Sequence, residues 1–205
     1  MNQNIKAIIF DLDGTLVHTT VEYRYKTVSS IMKHFKKELE MNEIDRFWFG
    51  NDRNKIISSW GVEPKEFWKF FREYDIIEMR ERYIHPYNDC WILKKLKEKV
   101  KLGLITNTPR KIAEMELKKL DVEFDAVVFA QEKEPKPHPS SVLECLEILD
   151  VSKDEAIMVG NSEEDIIVAQ NIGIKYFIID RSEYEITINP LNRINSLDEL
   201  LKVVK

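Results

Sequence analysis

Asp11 and Asp13 stand two residues apart in the run Asp11-Leu12-Asp13-Gly14-Thr15, directly after the apolar stretch 5–10. Two carboxylates held that close repel each other and require a bound cation or a raised pKa on one of them. The plain alternative is an Asx-rich turn, since Asp and Gly are ordinary turn residues. Three more groups follow the same pattern of apolar run and polar tail. Thr106-Asn107-Thr108 closes the run 100–105, and Lys136-Pro137-His138-Pro139 follows 126–130. Gly160-Asn161-Ser162 closes 156–160, with Asp165 one helical turn further on. Each has a bland reading alone: a turn, a solvated lysine, a first-turn acid facing a helix dipole. In this order they bring a hydroxyl, an amine and several oxygen ligands to one edge of one sheet. That set suits phosphoryl transfer, where catalysis is mainly positioning and electrostatic screening. A carboxylate attacks a phosphate dianion only where a cation and a lysine cancel the repulsion. The leaving alkoxide then needs a proton from an acid beside the nucleophile.

The elements that must position these groups are legible from periodicity. Apolar runs at 5–10, 100–105, 126–130, 156–160 and 175–180 read as buried parallel strands. Helical periodicity lies between the later ones, over 109–120, 140–149 and 163–172, the last with Gly173 as its C-cap. Strands alternating with helices indicate βαβ units in a doubly wound α/β sheet, with ligands bound outside the strands' carboxyl ends. Residues 196–204 predict a closing helix with a Ser196/Glu199 capping box. Residues 181–195 hold an edge strand near Ile186–Ile188 or Arg193–Ile194, broken by Pro190. One spacing departs from a plain sheet. Residues 16–99 separate the first loop from the second strand, whereas a βαβ unit needs about 30. Residues 87–98 supply the crossover helix, which leaves 16–85 as a helical cap insertion and 1–15 with 86–205 as the α/β core. The insertion predicts three amphipathic helices, 20–38, 42–59 and 64–83, with Pro64 at a helix start and aromatics forming its own core.

Composition narrows the classes. Net charge is −5 with no basic block, which argues against a nucleic-acid partner. No apolar run approaches the ~20 residues needed to span a bilayer. Cys90 and Cys145 lack CxxC spacing and read as buried free thiols of a reducing compartment. The chain enters a strand almost at once, and the expectation is a soluble, cytoplasmic protein. Oligomeric state is left open.

The motifs DLDGT, ITNT, KPHP and VGNSEED resemble the haloacid dehalogenase superfamily, most closely its phosphatase branch with a helical cap after the first strand, phosphoglycolate-phosphatase-like, and the resemblance covers essentially the whole chain. It implies a Mg2+-dependent phosphomonoester hydrolase acting on a small phosphorylated metabolite, with a cap that closes over the site. Asp11 would be the nucleophile that becomes an aspartyl phosphate, and Asp13 the acid that protonates the leaving group and then activates water. Thr106 and Asn107, with the loop amides of Leu12 and Gly14, would hold the phosphoryl group. Lys136 would neutralise charge between phosphate and nucleophile. Asp11, the main-chain carbonyl of Asp13, Asn161 and Asp165 would organise Mg2+, a hard cation that prefers oxygen. Asp13 argues against dehalogenation, since a halide leaves without a proton.

Asn161 stands where such phosphatases usually carry Asp. A unit charge about 4 Å from a cation is worth about 4 kcal/mol at an effective dielectric near 20, much of it offset by desolvation. Either Asp165 carries the metal with Asn161 in support, or the metal site is weakened and the chain binds phosphate in a regulatory role. A phosphomutase is a third reading, with no specific support. His18 sits at the hinge into the cap, and His34, His85 and His138 suggest no metal site. Arg24 and Arg53 are candidate contacts for an acidic substrate group.

Overall fold

The computed structural model describes residues 4–184, 186–187 and 192–204. It comprises two compact units, one from residues 1–18 with 86–205 and one from Thr19–His85. Strands β1 (Ala7–Phe10), β4 (Lys101–Thr106), β5 (Ala126–Phe129), β6 (Ala156–Gly160), β7 (Lys175–Ile179) and β8 (Arg193–Ile194) form one sheet in the order β5-β4-β1-β6-β7-β8. Every neighbouring pair in it is parallel. Two short strands, β2 (Val17–Thr19) and β3 (Ile84–Pro86), make a separate two-stranded sheet. All four residues of β1 are buried, as a central strand covered on both faces requires.

The order reverses beside β1: the chain steps outward to β4 and β5, then returns to β6 on the other flank. This is the topological switch point at which open α/β sheets bind ligands. The register fixes what meets there. Phe10 pairs with Leu104 on one side and Val159 on the other, so Asp11, Thr106 and Asn161 all leave the sheet at one edge.

The second unit holds α1 (Val21–His34), α2 (Met41–Phe49), α3 (Arg53–Ser59), α4 (Pro64–Tyr74) and α5 (Ile77–Arg80). Its core gathers Val28, Ile31, Ile44, Phe47, Ile57 and Phe67, with the Phe47 and Phe67 rings packed edge-on at 5.1 Å. Two of the three expected helices are each broken in two. Between 42 and 59 the chain leaves the helix at Gly50, and Asp52 starts a new one by accepting from the Lys55 N–H at 3.0 Å. Between 64 and 83 the break falls at Asp75, whose carboxylate is drawn to the Tyr23 hydroxyl and to Arg80 Nη1 at 3.1 Å. These local bonds compete with helix continuation and are invisible to periodicity.

In the first unit, α6 (Ile92–Lys97), α7 (Arg110–Leu117), α8 (Ser140–Leu149) and α9 (Glu163–Ile172) flank the sheet. Ala7 and Ile9 of β1 pack with Val142, Cys145 and Leu149 of α8 and Ile166 and Ala169 of α9. Right-handed crossovers place α6 and α7 on the opposite face. Gly173 ends α9 in the left-handed region at φ 72°. The closing segment Leu197–Lys202 keeps its Ser196/Glu199 capping box but winds as a 3-10 helix. Of the two expected positions for an edge strand, Arg193–Ile194 forms it; Ile186 and Thr187 are not in a strand, and Ile188 and Pro190 lie outside the described residues. Among the described residues no helix is long and apolar enough to cross a membrane. Cys90 and Cys145 are buried free thiols, and burial pushes both up to about 12.

Phe10 is fully buried and immediately precedes Asp11. Phe10→Ala is expected to cost about 3–5 kcal/mol, read as a lower denaturant midpoint at unchanged slope; an unchanged midpoint would show that β1 is not a core strand.

Candidate active site

Asp11 sits one residue past the end of β1, 6% exposed. Its two oxygens face different partners. Oδ1 accepts from Lys136 Nζ at 2.5 Å, and Oδ2 accepts from the Thr15 hydroxyl at 3.1 Å. The Lys136 ammonium also donates to Asp165 Oδ1 at 2.7 Å, so one buried cation bridges two buried carboxylates. Burial lifts the Asp11 carboxyl to about 7; Lys136 opposes that rise, and the negative charges of Asp165 and Asp13 add to it. Burial likewise disfavours the Lys136 ammonium, but Asp11 and Asp165 more than compensate and raise its pKa. Asp11 is thus flanked by one buried lysine and by the negative charges of two further acids.

Each group is held by short local bonds. Asn107, at the end of β4, grips the lysine's backbone from both sides: its Oδ1 accepts from Lys136 N at 2.8 Å and its Nδ2 donates to Lys136 O at 3.2 Å. Asp165, on the first turn of α9, uses Oδ2 to accept from Asn161 N, Ser162 N and Ser162 Oγ at 3.1, 3.1 and 2.7 Å. Gly160 makes room for it, since a Cβ there would stand 2.3 Å from Asp165 Cγ. Asp13 accepts from the Thr108 hydroxyl at 2.5 Å, and Thr108 N donates to Thr106 Oγ1 at 3.0 Å. Gly14 turns the loop at φ 79°, in the left-handed region that favours glycine.

Asn161 is 2% exposed and places its amide beside the same loop. One face of that amide meets Thr15 Oγ1, Asp11 Oδ2 and the main-chain oxygen of Asp13, the last two at 3.2 and 3.1 Å. With the amide oxygen on that face, a carboxylate, a carbonyl and an amide oxygen converge, a donor set that fits a hard divalent cation.

A family model for haloacid dehalogenase-like hydrolases matches residues 8–179. The chain belongs to this family. The pyrophosphatase PpaX of Bacillus mycoides is 32% identical over 177 residues, 83% of this chain and 81% of that protein. Among solved structures, a haloacid dehalogenase-like family hydrolase from Streptococcus pneumoniae superposes with TM-score 0.81 at 19% identity, covering 97% of this chain and 98% of its own. A haloacid dehalogenase-superfamily hydrolase from Geobacter sulfurreducens superposes with TM-score 0.73 at 22% identity, covering 98% and 97%.

In this hydrolase Asp11, Asp13, Thr106, Asn107, Lys136, Asn161 and Asp165 gather at one sheet edge, but some are engaged otherwise than the sequence suggests. Asn107, expected at the phosphoryl group, is committed to the Lys136 backbone. The Gly14 N–H donates to Val17 O at 2.7 Å, and the Leu12 carbonyl accepts from Leu16 N at 2.8 Å within the same turn. Asp165 spends its carboxylate on Lys136 and the α9 N-terminus rather than standing open to a metal. His138 turns to Glu134 at 2.8 Å, and the His18 ring packs on Tyr87 at 4.7 Å. Arg24 is buried, donating to Thr19 O at 3.0 Å with its guanidinium over the Phe49 ring; Arg53 donates to Trp48 O at 3.0 Å.

Three contributors were not singled out from sequence. Thr108 and Thr15 touch the two loop acids directly. Arg181 acts one step back: it donates to Thr15 O at 2.6 Å and to Asp89 at 2.9 and 3.1 Å, and its guanidinium lies 3.8 Å over the Tyr87 ring. Thr108 belongs to a motif already in view. Arg181 is far from any motif, and only the fold reveals it.

Lys136→Met leaves two buried carboxylates without their cation and is expected to cost about 3–5 kcal/mol in chemical denaturation. Lys136→Met with Asp165→Asn should recover part of that loss; equal stability of the single and double variants would contradict the bridge.

Proposed function

We propose that this hydrolase is a phosphatase that cleaves a small phosphorylated metabolite through an aspartyl phosphate on Asp11. The observation that carries the reading is the Lys136 ammonium seated between Asp11 and Asp165, next to a second acid at Asp13. Asp11 attacks phosphorus, its carboxylate oxygen forming the new P–O bond as the ester P–O bond breaks. Asp13 gives its proton to the departing alkoxide; its carboxylate then takes a proton from the water that attacks the phosphorylated Asp11, releasing phosphate. Lys136 draws charge from the nucleophile and the phosphoryl oxygens as they approach. The Thr106 region of the β4 loop lies at the same sheet edge to receive those oxygens.

Mg2+ would be held by Asp11, the main-chain carbonyl of Asp13 and the amide oxygen of Asn161, with Asp165 behind them through Lys136. When bound, it would supply positive charge to the phosphoryl oxygens and favour the ionised form of Asp11. Retention of Asp11, Asp13 and Lys136 together supports turnover rather than phosphate binding alone. The named activity of the Bacillus relative adds inorganic pyrophosphate to the candidate substrates.

The test is hydrolysis of an aryl phosphate, phosphoglycolate and pyrophosphate, with and without Mg2+. Turnover should require Mg2+ and vanish in Asp11→Asn; metal-dependent turnover that survives in Asp11→Asn would overturn the nucleophile. Asp13→Asn should lose far more activity on alkyl phosphates than on an aryl phosphate or pyrophosphate, because the better leaving groups need less proton help. Equal losses on all three would remove Asp13 from the acid role.

A further inference from the structure

Asn161 is wedged between two loops. One side of its amide abuts Gly14, where a Cβ would stand 2.3 Å from Asn161 Nδ2. The other side faces the Asp11 loop, and the two possible amide orientations make opposite demands there. With the oxygen inward, Oδ1 accepts from the Thr15 hydroxyl at 2.9 Å. With the nitrogen inward, Nδ2 lies 2.9 Å from Thr15 Oγ1, 3.2 Å from Asp11 Oδ2 and 3.1 Å from the main-chain oxygen of Asp13.

Nitrogen inward, the amide gives its two protons to acceptors of the nucleophile loop, and protein atoms alone satisfy the contact. Oxygen inward, the amide adds lone pairs beside a carboxylate and a carbonyl, which is favourable only with positive charge among them. The spacing suits that charge. Oxygens at adjacent corners of a Mg2+ octahedron with bonds of about 2.0–2.1 Å lie about 2.9 Å apart, close to the 3.1 and 3.2 Å found here. The last torsion of an Asn side chain is sp3–sp2, broad and roughly two-fold, so both amide orientations fit the same side-chain position. An aspartate at 161 has no nitrogen face and could serve only the cation-bound arrangement.

We propose that Asn161 is a cation-coupled amide. Its nitrogen holds the Asp11–Asp13 loop in the cation-free protein, and the amide turns to present its oxygen when a divalent cation binds. This rests on the cation reading given above and assigns the Asn at this position a role that Asp could not fill. The nucleophile loop is held in both the cation-free and the cation-bound state. In exchange, the cation displaces two donated hydrogen bonds and binds more weakly than it would beside a carboxylate.

The experiment is a Mg2+ titration of 15N-labelled protein, following the Asn161 side-chain amide pair, assigned by its absence in Asn161→Asp, with calorimetry on the same samples. The pair should leave its hydrogen-bonded position and move along the calorimetric isotherm. In parallel, Asn161→Asp should melt below the natural chain without cation, recover with Mg2+, and bind Mg2+ about tenfold or more tightly. Calorimetric binding with a stationary Asn161 pair would overturn the amide turnover and leave the metal reading intact. No calorimetric binding would overturn both. The titration uses the natural chain, so it decides the matter even where the variant fails to fold.

Discussion

The site depends on one ammonium group. Lys136 is buried and pairs with two buried carboxylates at once, at 2.5 and 2.7 Å. Burying any of the three alone would be prohibitive, and burying the set is tolerable only because each charge has a partner and further hydrogen bonds. Burial lifts the Asp11 carboxyl to about 7, with Lys136 opposing that rise and the negative charges of Asp165 and Asp13 adding to it.

Much of the remaining structure keeps that ammonium and its acids in register. Parallel pairing brings the ends of β1, β4 and β6 level at the switch point of the sheet. Asn107 clamps the lysine's backbone, the α9 N-terminus and Ser162 orient Asp165, and Thr108 orients Asp13. Thr15 links the layers: its hydroxyl touches Asp11, and its carbonyl is held by Arg181, itself fixed by Asp89 and Tyr87. Positioning of this kind is what phosphoryl transfer asks of a protein.

The α/β architecture was legible because its signals are local. Buried parallel strands are continuous apolar runs, and α8 and α9 begin and end where periodicity and Gly173 put them. The broken helices of the insertion were not legible, because Asp52 and Asp75 act through particular hydrogen bonds rather than through a pattern. At the site, sequence order identified which residue types converge but not which atoms face one another. Asn107 and the Gly14 N–H carry polar groups suited to phosphate, yet both are spent on the scaffold. Arg181 left no trace in any motif, since its importance comes from a single carbonyl far away in sequence.

Asp11 is proposed to carry the phosphoryl group between substrate and water. Borohydride reduces an acyl phosphate to the alcohol, so protein quenched during turnover and reduced should yield homoserine at position 11, seen by peptide mass spectrometry. Homoserine is expected at that position alone, and only when substrate and Mg2+ are both supplied. Sustained turnover with an unmodified Asp11, or homoserine at another acid, would contradict it.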